Sequence, residues 1–408
     1  MVGLLCKRYG YDKADLAMDV VQDSFEAALS TWKFRGLPDQ PAAWLMRVAI
    51  NKMINRLKQA DTRRAIEDSL FRDAGDSFLP ESLDGNAGFD PGEIRDSQLN
   101  LLFFFCERPA PARVRIILTL CYLCGFGYAE IGNALWMKEE AVKKSLHRHK
   151  KLLHFFQPDE DYLKRRLEPA ALDSLLDILY LLFNEGYKTT RHREGIHKDL
   201  CYEAMRLAQL VLAHLEDGRS HDDGRLHALL ALMFFNVSRF PARLDEQLSW
   251  IRLEDQDRSQ WDRSLISEGF HHLNRAAKLL DAPGRFYLEA LISSLHCTAP
   301  DFASTDWTRI GFLYRQLEQL HPGHLSYRLN RIIAESHNGG VAEALREMTE
   351  LGALLSQDIL PSYIICLAYL YEKSGDVVNA SRYYDEALRL TRSPIDQRFI
   401  QRKKSSLL

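Results

Sequence analysis

Apolar positions recur at three- and four-residue spacing along nearly the whole chain, which predicts helices rather than strands. Leu16, Val20, Val21, Phe25, Ala28 and Leu29 form one such stripe over residues 14–34. Asp12, Asp15, Asp19, Asp23 and Glu26 decorate the rest of that helix. Gly36-Leu-Pro-Asp-Gln-Pro41 breaks it. A second helix is predicted from about Pro41 to Arg64, with Trp44, Leu45, Val48, Ala49, Met53 and Leu57 facing inward. Arg47, Asn51, Lys52, Asn55, Arg56, Lys58, Arg63 and Arg64 are left for the outside.

Residues 97–124 read as apolar helices, Leu99–Phe105 and Arg113–Leu120, separated at Pro109-Ala-Pro111. Next, Tyr128–Leu153 reads as two short helices joined by a tight turn. Ile131 and Leu135 share one face of the first, and Val142, Leu146 and Leu153 share one face of the second. The opposite face of the second helix carries Glu140, Lys143, Lys144, His147 and Lys151, with Arg148 beside them. A short helix with one apolar and one basic stripe can dock on a small core and hold cations outward, as a recognition helix does in a DNA major groove. A solvated charged face is the competing reading of that stretch alone. Tyr128 cannot cap the first helix, which leaves Gly127 for that role. The turn, Trp136-Met-Lys138, has no glycine, so a positive φ there is expected to be strained.

The second half continues in the same period. Leu172–Phe183 is densely apolar. Further helices are predicted at Lys198–Leu215, Gly224–Phe235, Asp262–Leu280, Arg285–Cys297, Trp307–Leu320, Ser326–Ser336, Val341–Leu355, Ser362–Lys373 and Val377–Leu390. Short polar joints between them suggest stacked antiparallel pairs. The last pair is clearest: Ala368, Ala380 and Ala387 permit close approach, Tyr371 and Tyr384 fill space, and Gly375-Asp376 makes the turn. This fits a tetratricopeptide-type repeat, an architecture that presents a concave protein-binding surface.

Charge sharpens this picture locally. The net charge of −3 over 408 residues advertises no polyanion. Basic residues nevertheless cluster in Arg47–Arg64 and Lys138–Lys151, and local clusters are the better footprint of a nucleic-acid binder. Residues 65–98 carry nine acids against two arginines, with several Gly and Pro, and read as a flexible linker. No apolar run approaches the ~18 residues a membrane span needs, and the opening residues do not form a signal peptide. The seven scattered cysteines read as reduced thiols of a cytosolic protein. Cys121 and Cys124 form a lone CxxC in an apolar helix, where packing is the expected role. Glu254, Asp255, Asp257 and Asp262 either hold a cation or, as expected, cap helix starts, and a docking loop toward the N-terminal half is a further reading. His271-His272 have no matching metal ligand, and no catalytic constellation, metal site or cofactor loop is found. The chain is therefore expected not to be an enzyme.

Two segments carry a family resemblance. Asp15–Leu29 followed by Pro41–Leu57 resembles region two of bacterial RNA polymerase sigma factors of the extracytoplasmic-function group. Ala129-Glu-Ile131, Glu139 and Ala141–Arg148 resemble region four of the same group, in the family's order. The resemblance implies that the first helix docks on the clamp helices of the polymerase β′ subunit, with Asp19, Gln22, Asp23 and Glu26 as candidates. It implies that the loop holding Trp32 and Phe34 and the following helix capture the minus-ten element. Trp44, Arg47, Asn51, Lys52, Asn55, Arg56, Lys58, Arg63 and Arg64 are the candidates there. Region four would dock on the β flap and read the minus-thirty-five element, through Lys143, Lys144 and His147 to bases and Arg148 and Lys151 to phosphates. The acidic linker would thread the polymerase channel. Family members usually begin a helix earlier, so Met1 implies either a start assigned too late or a trimmed region two.

Leu179–Tyr187 and Arg252–Arg258, with Trp261-Asp262, resemble the subgroup that carries a tetratricopeptide-like C-terminal extension. The expected organisation is all-α: region two at 1–64, linker at 65–98, region four with its helix-turn-helix at 99–156, and a helical-repeat domain at 165–408. The expected function is transcription initiation with core RNA polymerase and promoter DNA, no membrane, and a protein or peptide partner for the repeats. A protein-interaction scaffold with a non-functional sigma-like half is the alternative.

Overall fold

The computed structural model describes residues 1–69, 98–105, 110–135, 137–149, 151, 169–188, 196–215, 221–354, 361–391 and 393–407. Most of the acidic linker, Trp136 and Leu153 lie outside them, as do the side chains of Arg63 and Arg64. Eighteen helices and no strand occur among the described residues, so the all-α expectation holds. The chain forms two compact units, Met1–Ile178 and Leu179–Leu408.

In the first unit α1 (Val2–Tyr9) packs on α2 (Ala14–Arg35), and α2 packs on α3 (Pro41–Ser69). α3 opens on Pro41, whose fixed φ suits a first helical turn. It runs five residues past the expected end at Arg64. The buried side of α2 is Ala17, Val20, Ser24 and Ala28, and the Ser24 hydroxyl donates back to the Val20 carbonyl at 2.6 Å. Small residues let α2 approach its neighbours closely. Phe25 and Leu29, assigned to the core by periodicity, are instead 48 % and 76 % exposed. A helix packed on two neighbours can bury only part of its circumference, and six apolar positions made the expected stripe too wide.

α4 (residues 98–105) is apolar all round and buried from Leu99 to Phe105, which marks it as the centre of its local core. α5 (Ala112–Tyr122), α6 (Tyr128–Ala134) and α7 (Glu139–His149) follow and pack on one another. Phe105 stacks on Tyr122, with centroids 6.4 Å apart. The Tyr122 hydroxyl donates to Asp15 on α2 at 2.8 Å, and burial first, then this bond, raise its pKa. Cys121 is buried in α5, and burial pushes its thiol up to about 12, which suits packing rather than redox or metal chemistry.

α8 (Pro169–Tyr187) leads into the second unit, followed by α9 (Lys198–His214) and α10 (His221–Val237). α10 packs against α11 (Arg263–Leu279) and α12 (Arg285–Thr298). Then come consecutive helix pairs: α13 (Trp307–Leu320) on α14 (Leu325–Ser336), α15 (Val341–Leu354) on its neighbours α14 and α16 (Pro361–Ser374), and α16 on α17 (Val377–Leu390). Ala368, Ala380, Ala387 and Tyr384 are buried at the last pair, as expected, whereas Tyr371 is half-buried and stacks on Tyr383. Gly375 makes the turn at φ +80° and Asp376 caps α17 by accepting from the Asn379 amide. A final helix, α18 (Pro394–Ser405), lies beyond the expected elements; its Ser393 cap and Pro394 opening are the sequence signal for it.

The joint between α10 and α11 is long, and its charges tie it down within this unit. Asp257 and Asp262 cap helix starts, as expected. Glu254 pairs with Arg252 and Lys373, and Asp255 with Lys403. Arg258 is buried and donates to the carbonyls of His296 at 2.7 Å and Ala299 at 2.9 Å, and to the Thr305 hydroxyl at 3.0 Å. The four acids thus hold helix starts and cations of the chain, and no metal-ligating cluster occurs among the described residues. His271 is exposed, but His272 is buried with its Nδ1 2.7 Å from Nδ1 of His227. Sequence reasoning does not reach this pair, because 45 residues separate its members.

Candidate nucleic-acid interface

α6 and α7 form a helix-turn-helix whose turn is fixed from three sides. Gly127 takes the capping position: its carbonyl accepts from Ile131 at 3.0 Å, and its amide donates to Glu130 at 2.7 Å. The Met137 amide closes the turn on the Gly132 carbonyl at 2.7 Å. A Cβ at position 132 would lie 2.8 Å from the Met137 carbonyl oxygen, so the glycine this turn requires sits in α6. Neither Met137 nor Lys138 has a positive φ, and the strain expected there is absent at both. Arg113 of α5 donates to the Leu135 carbonyl and, at 3.2 Å, to the Met137 sulfur. That guanidinium satisfies a carbonyl at the end of α6 that would otherwise lack an intrahelical partner.

Ile131, Leu135, Val142 and Leu146 are buried beneath the motif. Lys144, His147 and Arg148 are exposed on the face of α7 opposite Val142, with Glu140 among them, and Lys151 is exposed beyond the helix end. Lys143 differs. It lies at the flank, bonded to Glu139 at 2.9 Å and close to Glu140 at 3.5 Å, with its ammonium 5.8 Å from the Tyr128 ring. The hydrogen bond and charge of Glu139 raise its pKa. Any contact to a base by Lys143 must therefore compete with two carboxylates, while Lys144 and Arg148 show no such carboxylate partner among the described residues.

Region-two candidates divide in the same way. Arg47, Asn51, Asn55 and Lys58 are exposed along one side of α3. Lys52 and Arg56 turn instead toward α2: Lys52 donates to the Asp23 carbonyl at 2.9 Å, and Arg56 pairs with the Asp23 carboxylate at 2.6 Å and approaches Asp19 at 4.0 Å. Candidates assigned to two different partners thus meet each other. Side-chain length decided this, since Lys52 and Arg56 reach across the α2–α3 contact. Trp44 is half-buried against Trp32, with centroids 5.5 Å apart, and Trp32 and Phe34, expected in a loop, lie instead in the last turn of α2, which runs to Arg35.

Asp19, Gln22 and Glu26 are exposed on α2, and Asp23 is half-buried by its pair. Phe25 and Leu29 share the exposed face with Gln22 and Glu26, and Phe34 and Leu37 follow at 81 % and 71 % exposure. Large apolar groups exposed together are uncommon on a protein surface that meets only water.

Comparison with known proteins finds three matching family models. Residues 2–63 match the model of Sigma-70 region 2, and residues 111–153 match that of Sigma-70, region 4. Residues 171–277 match a family of unknown function (DUF6596). An uncharacterized protein of Rhizobium meliloti (strain 1021) is 32 % identical over 396 residues, covering 95 % of this chain and 89 % of that protein. No solved structure matches.

The chain belongs to the sigma factors, the class of proteins that act with core RNA polymerase in transcription initiation and bind promoter DNA. Within that class it is an extracytoplasmic-function-like sigma factor with a C-terminal extension, and the extension is helical. No helix among the described residues is long and apolar enough to cross a membrane.

Proposed function

We propose that this chain directs core RNA polymerase to a specific class of promoters and that its helical extension controls that engagement in cis. The observation that carries the reading is the pairing of two presented faces: the cationic face of α7 and the apolar–acidic face of α2. Lys144 and His147 contact base edges, and Arg148 and Lys151 grip phosphates. Each good bidentate base contact contributes about 1–3 kcal/mol of discrimination. Lys143 supports the helix more than it reads DNA. In region two, Arg47, Asn51, Asn55 and Lys58 hold the minus-ten strand over the Trp32–Trp44 platform. Gln22, Phe25, Glu26 and Leu29 dock on the β′ clamp helices. The β flap is the docking surface for region four. The stacked helix pairs of the second unit are tetratricopeptide-like and take a protein or peptide partner. The factor works in the cytoplasm, where the polymerase is.

Run-off transcription with purified core polymerase on a genomic promoter library tests this. The full chain is expected to produce a discrete set of transcripts. The double variant Lys144→Ala/Arg148→Ala is expected to lose them while still binding core polymerase. Residues 1–157 alone give the sign of the extension's effect. No transcripts from the full chain would sink the initiation reading, and equal output with and without the extension would sink control in cis.

A further inference from the structure

The second unit holds an open-sided pocket of about 340 Å³ that no part of the sigma reading uses. Its size falls in the range of small-molecule sites, roughly 300–1,000 Å³. The wall comes from α12, α13, α14, α16, α17 and α18 and from the joints before α11 and α13, elements brought together only by folding.

Aromatic rings dominate that wall. Trp307 lies 4.2 Å from His337 and 4.8 Å from Phe302, centroid to centroid. His296 meets Trp307 edge-on at 5.4 Å, and Tyr369 stands 6.1 Å from His337. Phe302, Trp307, His337, Tyr369 and Phe399 line the space and are only half-buried, although Trp307, Tyr369 and Phe399 also pack on the neighbouring core. Ile310, Ile333, Ala334 and Ile365 complete the apolar lining.

The charges around the cavity are matched internally. Arg252 bonds Glu254 at 2.5 Å and Glu372 at 3.2 Å, and Lys373 bonds Glu254 at 3.2 Å. The Tyr369 hydroxyl donates to Glu254 at 3.1 Å and the Tyr384 hydroxyl to Glu372 at 2.5 Å. Two cations thus face two carboxylates, and a charged guest would have to break a bond to find a counterion. Such a cost disfavours an anionic or cationic guest. It also disfavours the terminal carboxylate of a peptide. One polar group of the wall stands apart: Nδ1 of His296, on a ring nine-tenths buried, has no hydrogen-bond partner among the described residues.

From this combination we infer that the C-terminal unit is a receptor for an uncharged, aromatic small molecule, stacked on the Trp307–His337–Phe302 wall. The ring faces supply offset stacking and dispersion, and a single hydroxyl, amide or ring nitrogen on the guest matches Nδ1 of His296. This holds whatever the partner of the N-terminal unit, because every lining residue belongs to the second unit.

Benzophenone, which is neutral and aromatic and cross-links to C–H bonds under near-ultraviolet light, is the probe. The full chain is titrated with it, irradiated, digested and mapped by mass spectrometry. Saturable labelling confined to the pocket lining, within residues 252–254, 296–314, 330–337, 365–369, 384 and 399, and suppressed by excess indole, is expected. Ile333→Trp and Ile365→Trp each fill the cavity, and each is expected to cut labelling there at least tenfold while circular dichroism stays unchanged. The wild-type map stands alone should either variant fail to fold. Absent or non-saturable labelling, or labelling scattered over the surface, overturns the inference. So does unchanged labelling in both folded variants. Saturable capture of a capped, uncharged phenylalanine pentapeptide without any labelling by benzophenone also overturns it, in favour of peptide docking.

Discussion

Gly132 shows how one atom can govern a recognition motif. A methyl group there meets the Met137 carbonyl oxygen at 2.8 Å, and backbone cannot swing aside as a long side chain can. Gly132→Ala is therefore expected to lower the stability of the first unit by about 1–3 kcal/mol, the usual size of a local backbone conflict. The same change should weaken DNA binding, since α7 is set by this turn. Urea melts followed by circular dichroism, with a DNA-binding titration on the same samples, check both. An unchanged melt would show that the turn can relax. The sequence drew attention to the absence of glycine at 136–138; only the closure of Met137 onto α6 showed where the requirement lies.

At the level of elements, α7 and α2 make separable predictions. Lys144 and Arg148 are exposed on one face of α7, away from its buried residues Val142 and Leu146. Replacing both with Ala should leave the melting midpoint within the small range of surface changes, about ±0.5 kcal/mol. It should lower promoter affinity and reduce the salt slope of binding by about 1 for each phosphate-gripping cation removed. Fluorescence anisotropy across a salt series measures that slope, and an unchanged slope would show that α7 does not grip phosphates. On α2, Phe25→Ala and Leu29→Ala should also leave stability nearly unchanged, because both side chains already face solvent. Binding to core polymerase should fall at least tenfold in the double variant, read by co-purification or surface plasmon resonance. Had these residues been core, as periodicity suggested, each truncation would instead cost about 2–5 kcal/mol of folding stability.

For the whole molecule, buried histidines set the response to acid. Burial lowers His227 and His272 to about 4 and His296 to about 3, from an ordinary value of 6.5. Each folded value lies below the unfolded one, so the unfolded chain takes up protons that the folded chain refuses. The corresponding stability is complete above pH about 6.5 and drains as pH falls through the range toward 4 and then 3. Carboxylates such as Glu347, held low by the Arg331 guanidinium against the opposing effect of burial, act only below their ordinary range and so do not mask this window. The urea midpoint should fall between pH 7.5 and pH 5. His227→Asn/His272→Asn should flatten that slope. Equal midpoints at the two pH values would show that these rings do not titrate on unfolding.

The positions of the helices, several of their caps and the succession of region two and region four were legible in the amino-acid sequence. The reasons are local: a 3.6-residue period, carboxylates at Asp257, Asp262 and Asp376 that satisfy free amides, and short spacing between Ile131, Leu135, Val142 and Leu146. Tertiary structure alone decided which side of α2 is buried, that Lys52 and Arg56 answer Asp23, that His227 meets His272, and that five half-buried rings border one cavity. Each of these depends on groups distant in sequence or on the reach of a side chain across a helix contact. Periodicity reports which residues share a face of one helix, but not what that face meets.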